Sequence, residues 1–257
     1  MARVAIISDI HANYHALSAV IEDVRDRECT EIVCLGDIVG YNAFPKQCLD
    51  YVRALNCPVV KGNHDDEVVN PSLSRMNEIA RRAMNWTRDQ LKEEDLQWLS
   101  RLQFQRIVRT TDSGHSFSIV HSSLDHPKAW NYIINANDAS SNFPRQISHI
   151  CFHGHTHVPR VFVWDKVHTI EDYDALHDLH FSDEAEFSPR PDLKYFVNVG
   201  SVGQPRDSDP RACYAIYDTD RNLITVRRVV YNIREAQAEI RNNKLPEYLA
   251  ERLEKGC

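Results

Sequence analysis

The stretch Cys151-Phe152-His153-Gly154-His155-Thr156-His157-Val158-Pro159 places three histidines within five positions. Neutral imidazole is a good ligand for transition metals. His155 and His157 alternate, so an extended backbone would direct both to one side. A solvated loop also tolerates histidine, so this cluster means little unless donors recur elsewhere. They do: Asp9 and His11 in Asp9-Ile10-His11, Asp37 in Gly36-Asp37-Ile38-Val39-Gly40, and Asn63 and His64 in Gly62-Asn63-His64-Asp65. His121 joins them because it closes the apolar run Phe117 to Val120, although His115 and His126 are rivals on spacing alone. Asp9, His11, Asp37, Asn63, His121, His155 and His157 give two carboxylates, one amide and four imidazoles. That is too many donors for one such ion and suits two ions sharing a carboxylate. Two divalent cations set against two aspartates and a bridging hydroxide leave a net positive charge. Such a site attracts phosphate and stabilises charge developing on it. Paired ions about 3.5–4 Å apart support in-line attack on phosphorus.

These residues span nearly the whole first two thirds of the chain, so folded elements must gather them. Val4 to Ile7 reads as a buried strand ending at Ser8-Asp9. Tyr14 to Arg27 carries Leu17, Val20, Ile21 and Val24 at helical spacing. Glu31 to Leu35 reads as a second strand, Pro45 to Leu55 as a helix, and Pro58 to Val60 as a third short strand. This β-α-β-α-β rhythm predicts parallel pairing. Residues 74–102 read as two helices. Strands follow at Gln105 to Thr111, Ser116 to His121, Ser148 to Phe152, Tyr195 to Val197, Cys213 to Tyr217 and Leu223 to Val230. In open α/β sheets, ligands bind beyond the carboxyl ends of the strands, and each candidate donor follows a strand end. Four of the 8 glycines (Gly36, Gly40, Gly62 and Gly154) sit beside these donors, where they permit tight turns and close backbone approach.

The motif set resembles that of the calcineurin-like metallophosphoesterases, in order from Asp9-Ile10-His11 to Gly154-His155-Thr156-His157. Asn198-Val199-Gly200-Ser201-Val202-Gly203-Gln204-Pro205-Arg206 is similar to the bacterial branch of small phosphodiesterases and phosphatases. The resemblance implies an α/β fold, a four-layer α/β/β/α sandwich of two mixed sheets with helices outside. It implies that Asp9, His11 and His157 hold one metal, that Asn63, His121 and His155 hold the other, and that Asp37 bridges them. It implies a bridging hydroxide attacking phosphorus in line. His64 would protonate the leaving oxygen or stabilise its charge, with Asp65 orienting that imidazole. Asn13 and Arg206 are candidate substrate-binding residues; a guanidinium can clasp phosphate through two hydrogen bonds. Arg206, with Asp207 and Arg211, has the alternative task of pinning its loop. Ala12 stands where relatives often carry glycine.

The expected cofactors are two divalent transition metal ions: manganese first, with iron, zinc, nickel or cobalt also suited to mixed nitrogen and oxygen donors. The expected reaction is phosphodiester hydrolysis on a small or nucleotide substrate. Dinucleoside tetraphosphate hydrolysis and phosphomonoester or protein phosphatase action are the alternatives. A non-catalytic scaffold on this fold should lack His64 or the bridging aspartate, and both are present. His153 is expected to pack behind the ligands, Tyr41 and the helical Trp86 and Trp98 to pack in the core, and His168, His177 and His180 to be solvated.

Composition narrows the partners. The chain has 257 residues, 42% of them hydrophobic, enough for a sizeable core, and it is read as a single domain over 1–257. A net charge of -7 argues against a stable nucleic-acid complex. The 7 cysteines form no CxxC pair, which fits a reducing compartment. No apolar run approaches the roughly 18 residues needed to span a membrane. A cytoplasmic location without membrane partners is expected; oligomeric state is not legible. The acidic stretch at about 166–194 reads as an excursion or flap that could cap the pocket, and 233–257 as a polar C-terminal helix.

Overall fold

The computed structural model describes residues 2–71, 77–111, 114–165, 170–176, 179 and 182–257. Two mixed sheets face each other. The first is built from β1 (Arg3–Ile7), β2 (Glu31–Cys34), β8 (Glu184–Phe187), β10 (Ala212–Asp218) and β11 (Leu223–Val229), in the order β2-β1-β10-β11-β8. The second is built from β3 (Gln105–Arg109), β4 (Ser116–Val120), β5 (Ile150–His153), β6 (Arg160–Trp164), β7 (Ile170–Tyr173) and β9 (Lys194–Asn198), in the order β3-β4-β5-β9-β6-β7. The parallel pairs are β1 with β2, β4 with β5 and β5 with β9.

Period-2 alternation builds the layers. Val4 and Ile6 of β1, with Cys213, Ala215 and Tyr217 of β10, enter the core between the sheets. Their neighbours Ala5, Ile7, Ala212, Tyr214 and Ile216 point the other way, toward helices. There they meet α1 (Tyr14–Asp26), α2 (Pro45–Ala54), α7 (Ile233–Asn242) and α8 (Glu247–Lys255). Helix α1 buries Leu17, Val20, Ile21 and Val24 on one stripe, and Pro45 opens α2 at a position where its missing N–H costs nothing. Aromatic rings tie the two sheets: Phe117 and Phe152 of the second cross edge-to-face at 5.3 Å, and Phe117 meets Tyr217 of the first at 6.0 Å. The fourth layer is thin. Behind the second sheet Cys151, Phe162 and Phe196 pack on Phe143 and on α6 (Ala136–Ala139), a single turn.

Several expectations change in physical detail. Pro58 to Val60 makes only isolated bridges, Val59 to Cys34 and Val60 to Gln103, because the chain turns at once into α3 (Asn63–Val69). Residues 77–102 do form two helices, α4 (Glu78–Asp89) and α5 (Glu93–Ser100); 74–76 lie outside the described residues. The C-terminal stretch is two helices: α7 ends where Lys244 turns left-handed, with φ 55 and Leu245 N donating back to Ile240 O, and Pro246 precedes α8. The described residues of the acidic excursion are not irregular throughout, since they include two strands. Its β7 extends the edge of the second sheet and its β8 the edge of the first. Its residues 166–169, 177–178 and 180–181, which include His168, His177 and His180, lie outside the described residues.

Candidate metal centre

The carboxyl ends of the parallel strands point to one region at the joint between the sheets. β1 runs into Asp9 and His11, β2 into Asp37, β4 into His121, and β5 into His155 and His157. Asn63 and His64 start α3 beside them. All these side chains except Asn63 are buried. Donor atoms of Asp9, His11, Asp37 and His157 lie within 4.8 Å of one another, and so do those of Asp37, His121 and His155. Asp37 belongs to both groups. Asn63 joins the second, its Oδ1 lying 3.2 Å from His121 Nε2.

The backbone chooses which ring nitrogen faces inward. A carbonyl oxygen can only accept, so a ring nitrogen bonded to one must carry the proton. His121 Nδ1 donates to Leu35 O at 2.8 Å, His157 Nδ1 to Gln204 O at 2.5 Å, and His11 Nδ1 to Val39 O at 3.3 Å. Each of these rings therefore offers Nε2 to the centre. His155 is reversed: its Nε2 donates to Trp130 O at 2.9 Å, leaving Nδ1. Backing of this kind is what orients metal-ligating imidazoles.

The residues fit cations. His11 Nε2 and His157 Nε2 face each other at 3.1 Å, and both are the lone-pair nitrogens of their rings. Asp9 Oδ1 sits 3.2 Å from His157 Nε2, and Asp37 Oδ2 3.5 Å from His11 Nε2. Asp9 Oδ1 is buried with no hydrogen-bond partner. Four acceptors thus converge without a donor among them, an arrangement that a positive ion resolves. Burial, opposed by the nearby carboxylates, keeps the His11 and His157 imidazoles below their ordinary range, and it holds His155 at about 3. His121 goes the other way: burial pulls it down, but the Asp37 and Asp9 carboxylates lift it to about 9.

The scaffold is fitted around the two carboxylates. Ser8 Oγ donates to Asp9 Oδ2 at 2.6 Å, and the His155 N–H donates to the same oxygen at 3.0 Å. A Cβ on Gly154 would collide with Ser8 Oγ and Asp9 Oδ2; one on Gly62 would collide with Asp37 Oδ1. Five candidate ligands hold positive φ: Asp9 (53), His11 (48), Asp37 (50), His155 (68) and His157 (62). Left-handed backbone at non-glycine residues is strained and concentrates at functional sites. Ala12, with φ 56, explains why glycine suits that position.

Two expected roles are corrected. Asp65 does not orient the His64 ring. Its carboxylate accepts the N–H groups of Asp37, Ile38, Val39 and Gly62, at 2.9, 3.0, 3.4 and 3.1 Å, and so is spent on the backbone that carries Asp37. His64 Nδ1 has no partner and lies against Gly40. Asn13 is not placed to touch substrate: its Oδ1 caps α1 at Ala16 N and its Nδ2 donates to Gly203 O, both in the buried interior. His153 packs as expected, stacked on Phe196 with ring centroids 4.1 Å apart. Trp86 and Trp98 pack against the helix-side core.

A cavity of about 840 Å³ opens over the centre. Asp37, Asn63, His64, His155 and His157 form its floor. Tyr41 and Arg206 also line it. Tyr41 both packs on His64, at 4.4 Å between centroids, and lines the cavity. Arg206 Nη2 donates to Gln204 Oε1 at 3.0 Å. The pinning of its loop falls to Arg211 on Asp209 and to Arg228 on Asp207. Lys61, Phe104, Lys128, Trp130 and Tyr132, which line the cavity too, went unread in the sequence, because loop residues carry no periodic signal. Asn198, noted only within its motif, donates to Gly154 O at 2.7 Å and Thr156 Oγ1 at 2.9 Å, setting the turn that carries His155.

Comparison with known proteins agrees with this geometry. A family model described as the calcineurin-like phosphoesterase superfamily domain matches residues 2–222. An uncharacterized protein of Methanocaldococcus jannaschii is 38% identical over 257 residues, covering 97% of this chain and 96% of that one. The crystal structure of a metallophosphoesterase from Sphaerobacter thermophilus is 39% identical, covers 99% of this chain and 100% of that chain, and superimposes with a TM-score of 0.83. A hypothetical protein of Pyrococcus horikoshii shares the fold at 17% identity, with a TM-score of 0.79 over 100% of this chain and 99% of that one.

Proposed function

Since the chain belongs to the calcineurin-like phosphoesterase superfamily, we propose that it is a dinuclear-metal phosphodiesterase acting on a small or nucleotide substrate. The observation that carries this reading is Asp37, whose carboxylate is common to both donor groups. Asp9, His11 and His157 would hold one ion, Asn63, His121 and His155 the other, and Asp37 both, with manganese the favoured metal. When bound, two such ions supply Lewis-acid charge and a nucleophile generated from water at neutral pH.

The chain's own residues do the rest. Arg206 lines the cavity and binds phosphate oxygens, with Tyr41 under its guanidinium at 5.9 Å. His64 is buried at the cavity floor with Nδ1 against Gly40, so Nε2 is the nitrogen that delivers a proton to the leaving oxygen. Asp65 holds the turn that sets Asp37. A cavity of about 840 Å³ leaves room for groups on both ester oxygens, which favours a diester over a monoester. No helix among the described residues is long and apolar enough to cross a membrane.

The test is manganese-dependent hydrolysis of a generic phosphodiester beside the matching monoester and a dinucleoside tetraphosphate, with Asp37→Ala as the blank. Preference for the diester supports this reading. Preference for either alternative reassigns the substrate, and no metal-dependent turnover on any of them favours a scaffold.

A further inference from the structure

One wall of the cavity has chemistry that ester hydrolysis alone does not require. Residues 127–132 leave β4 and pass over the second half of the centre. Trp130 is held at φ 55, and its carbonyl accepts from His155. The same residue's indole lies edge-on to His121, at 6.0 Å between centroids. Tyr132 stacks on His155 at 4.3 Å and 23°, yet is 54% exposed. Both rings line the cavity. Behind Trp130, Phe104 sits 5.8 Å away between centroids and gathers two ammonium groups, Lys128 Nζ at 4.8 Å and Lys61 Nζ at 5.1 Å.

A half-exposed tyrosine beside a tryptophan is an odd lining for a site that only needs to receive phosphate. The rings abut His121 and His155, the candidate ligands of the second ion. Aromatic side chains over which a planar base can lie, next to cations that suit phosphate, are how proteins bind single nucleotides. Lys61 is also held by Asp66 at 3.4 Å and by Ser100 O at 3.1 Å, so Lys128 is the ammonium assigned to the subsite.

We propose that Trp130 and Tyr132, backed by Phe104 and Lys128, form a base-stacking subsite that selects a nucleotide over other phosphate esters. This rests on the phosphoesterase reading for its phosphate position, but the stacking can be measured without turnover. Full-chain, manganese-supplemented protein is titrated by calorimetry with AMP and with ribose 5-phosphate, which lacks only the base. Liberated orthophosphate is assayed in the same samples, and hydrolysis of a generic phosphodiester is measured on the same protein. AMP should bind at least about tenfold tighter. Tyr132→Ala and Phe104→Ala should each shrink that ratio toward one, whereas Tyr132→Phe, which keeps the ring, should preserve it. Equal affinities for the two ligands, or a ratio that survives Tyr132→Ala, would overturn the subsite. The two readings fail separately. Ester hydrolysis with equal affinities removes the subsite alone, and base-dependent binding without hydrolysis of any ester removes the enzyme and leaves the subsite.

Discussion

Asp65 and Asp37 meet through the main chain: Asp65 Oδ2 accepts the Asp37 N–H at 2.9 Å while Asp37 Oδ1 accepts the N–H of His64 at 2.8 Å. The two carboxylates thus lock two turns to each other. Asp65→Ala would strand buried N–H groups of Asp37, Ile38, Val39 and Gly62, at a cost of about 3 kcal/mol or more. For a chain of this size that lowers Tm by on the order of 10 °C. Scanning calorimetry checks it, and metal content measured on the same samples should fall as well. A Tm shift below about 2 °C would show that water replaces the carboxylate readily.

Asp37→Ala and His64→Ala should separate metal binding from proton transfer. The first removes the one carboxylate common to both donor groups, so elemental analysis after gel filtration should find both ions lost, and activity with them. The second should retain metal and lose about 10²- to 10⁴-fold in kcat, the usual worth of a general acid. Retained activity in either protein contradicts its assigned role.

Gly154→Ala tests the fit of the first strand end. The added Cβ runs into Ser8 Oγ and Asp9 Oδ2, and Asp9 is displaced from the side of His157. Metal affinity should drop about 10- to 100-fold, as it does when groups supporting a ligand are disturbed. Competitive chelator titration measures this. Wild-type affinity would mean that the 154 turn moves aside.

Arg206→Ala should raise KM with metal content intact, because its guanidinium lines the cavity and touches no candidate ligand side chain among its hydrogen-bond partners. Steady-state kinetics on the preferred ester decide it: a loss confined to kcat would remove the phosphate-binding assignment.

Far from the centre, Asp23 predicts an acid limb of stability. Burial pushes its carboxyl up, but hydrogen bonds from Arg227 and Tyr214 outweigh this and hold it below the ordinary 3.8. Arg227 is bidentate, with Nε and Nη2 each 2.7 Å from a carboxylate oxygen. A depressed folded value means that this stabilisation is whole above the ordinary value and is lost as pH falls through the folded one. Urea midpoints measured from about pH 5 down to about pH 2.5 should therefore fall less steeply in Asp23→Asn than in the wild type.

The donor set was legible from two kinds of mark: Asp37, Asn63 and His155 each directly follow a glycine, while Asp9, His11 and His121 are marked in the sequence only by the apolar strands that precede them. Asp9, Asp37 and His155 could be placed without coordinates. Asp65 and Asn13 were misread for one reason: a polar side chain next to a ligand looks functional, while its actual partners are backbone N–H and C=O groups that no residue type reveals. The strands β7 and β8 were hidden because β7 buries no residue fully and β8 alternates glutamate with only Ala185 and Phe187 buried. Tyr132 and Trp130 had no signal at all; only the path of the loop over β5 brings them to His155.

The ligands come from two sheets. Asp9, His11 and Asp37 follow strands of the first, and His121, His155 and His157 follow strands of the second, with the candidate ions at the seam. An ion bound there would be a cross-link as well as a cofactor, a rivet through two layers otherwise held by side-chain packing. Its binding free energy would be added to that of folding, by RT ln(1 + [L]/Kd). Chelation would then cost the molecule cohesion along with chemistry, and the melting temperature would track free metal concentration.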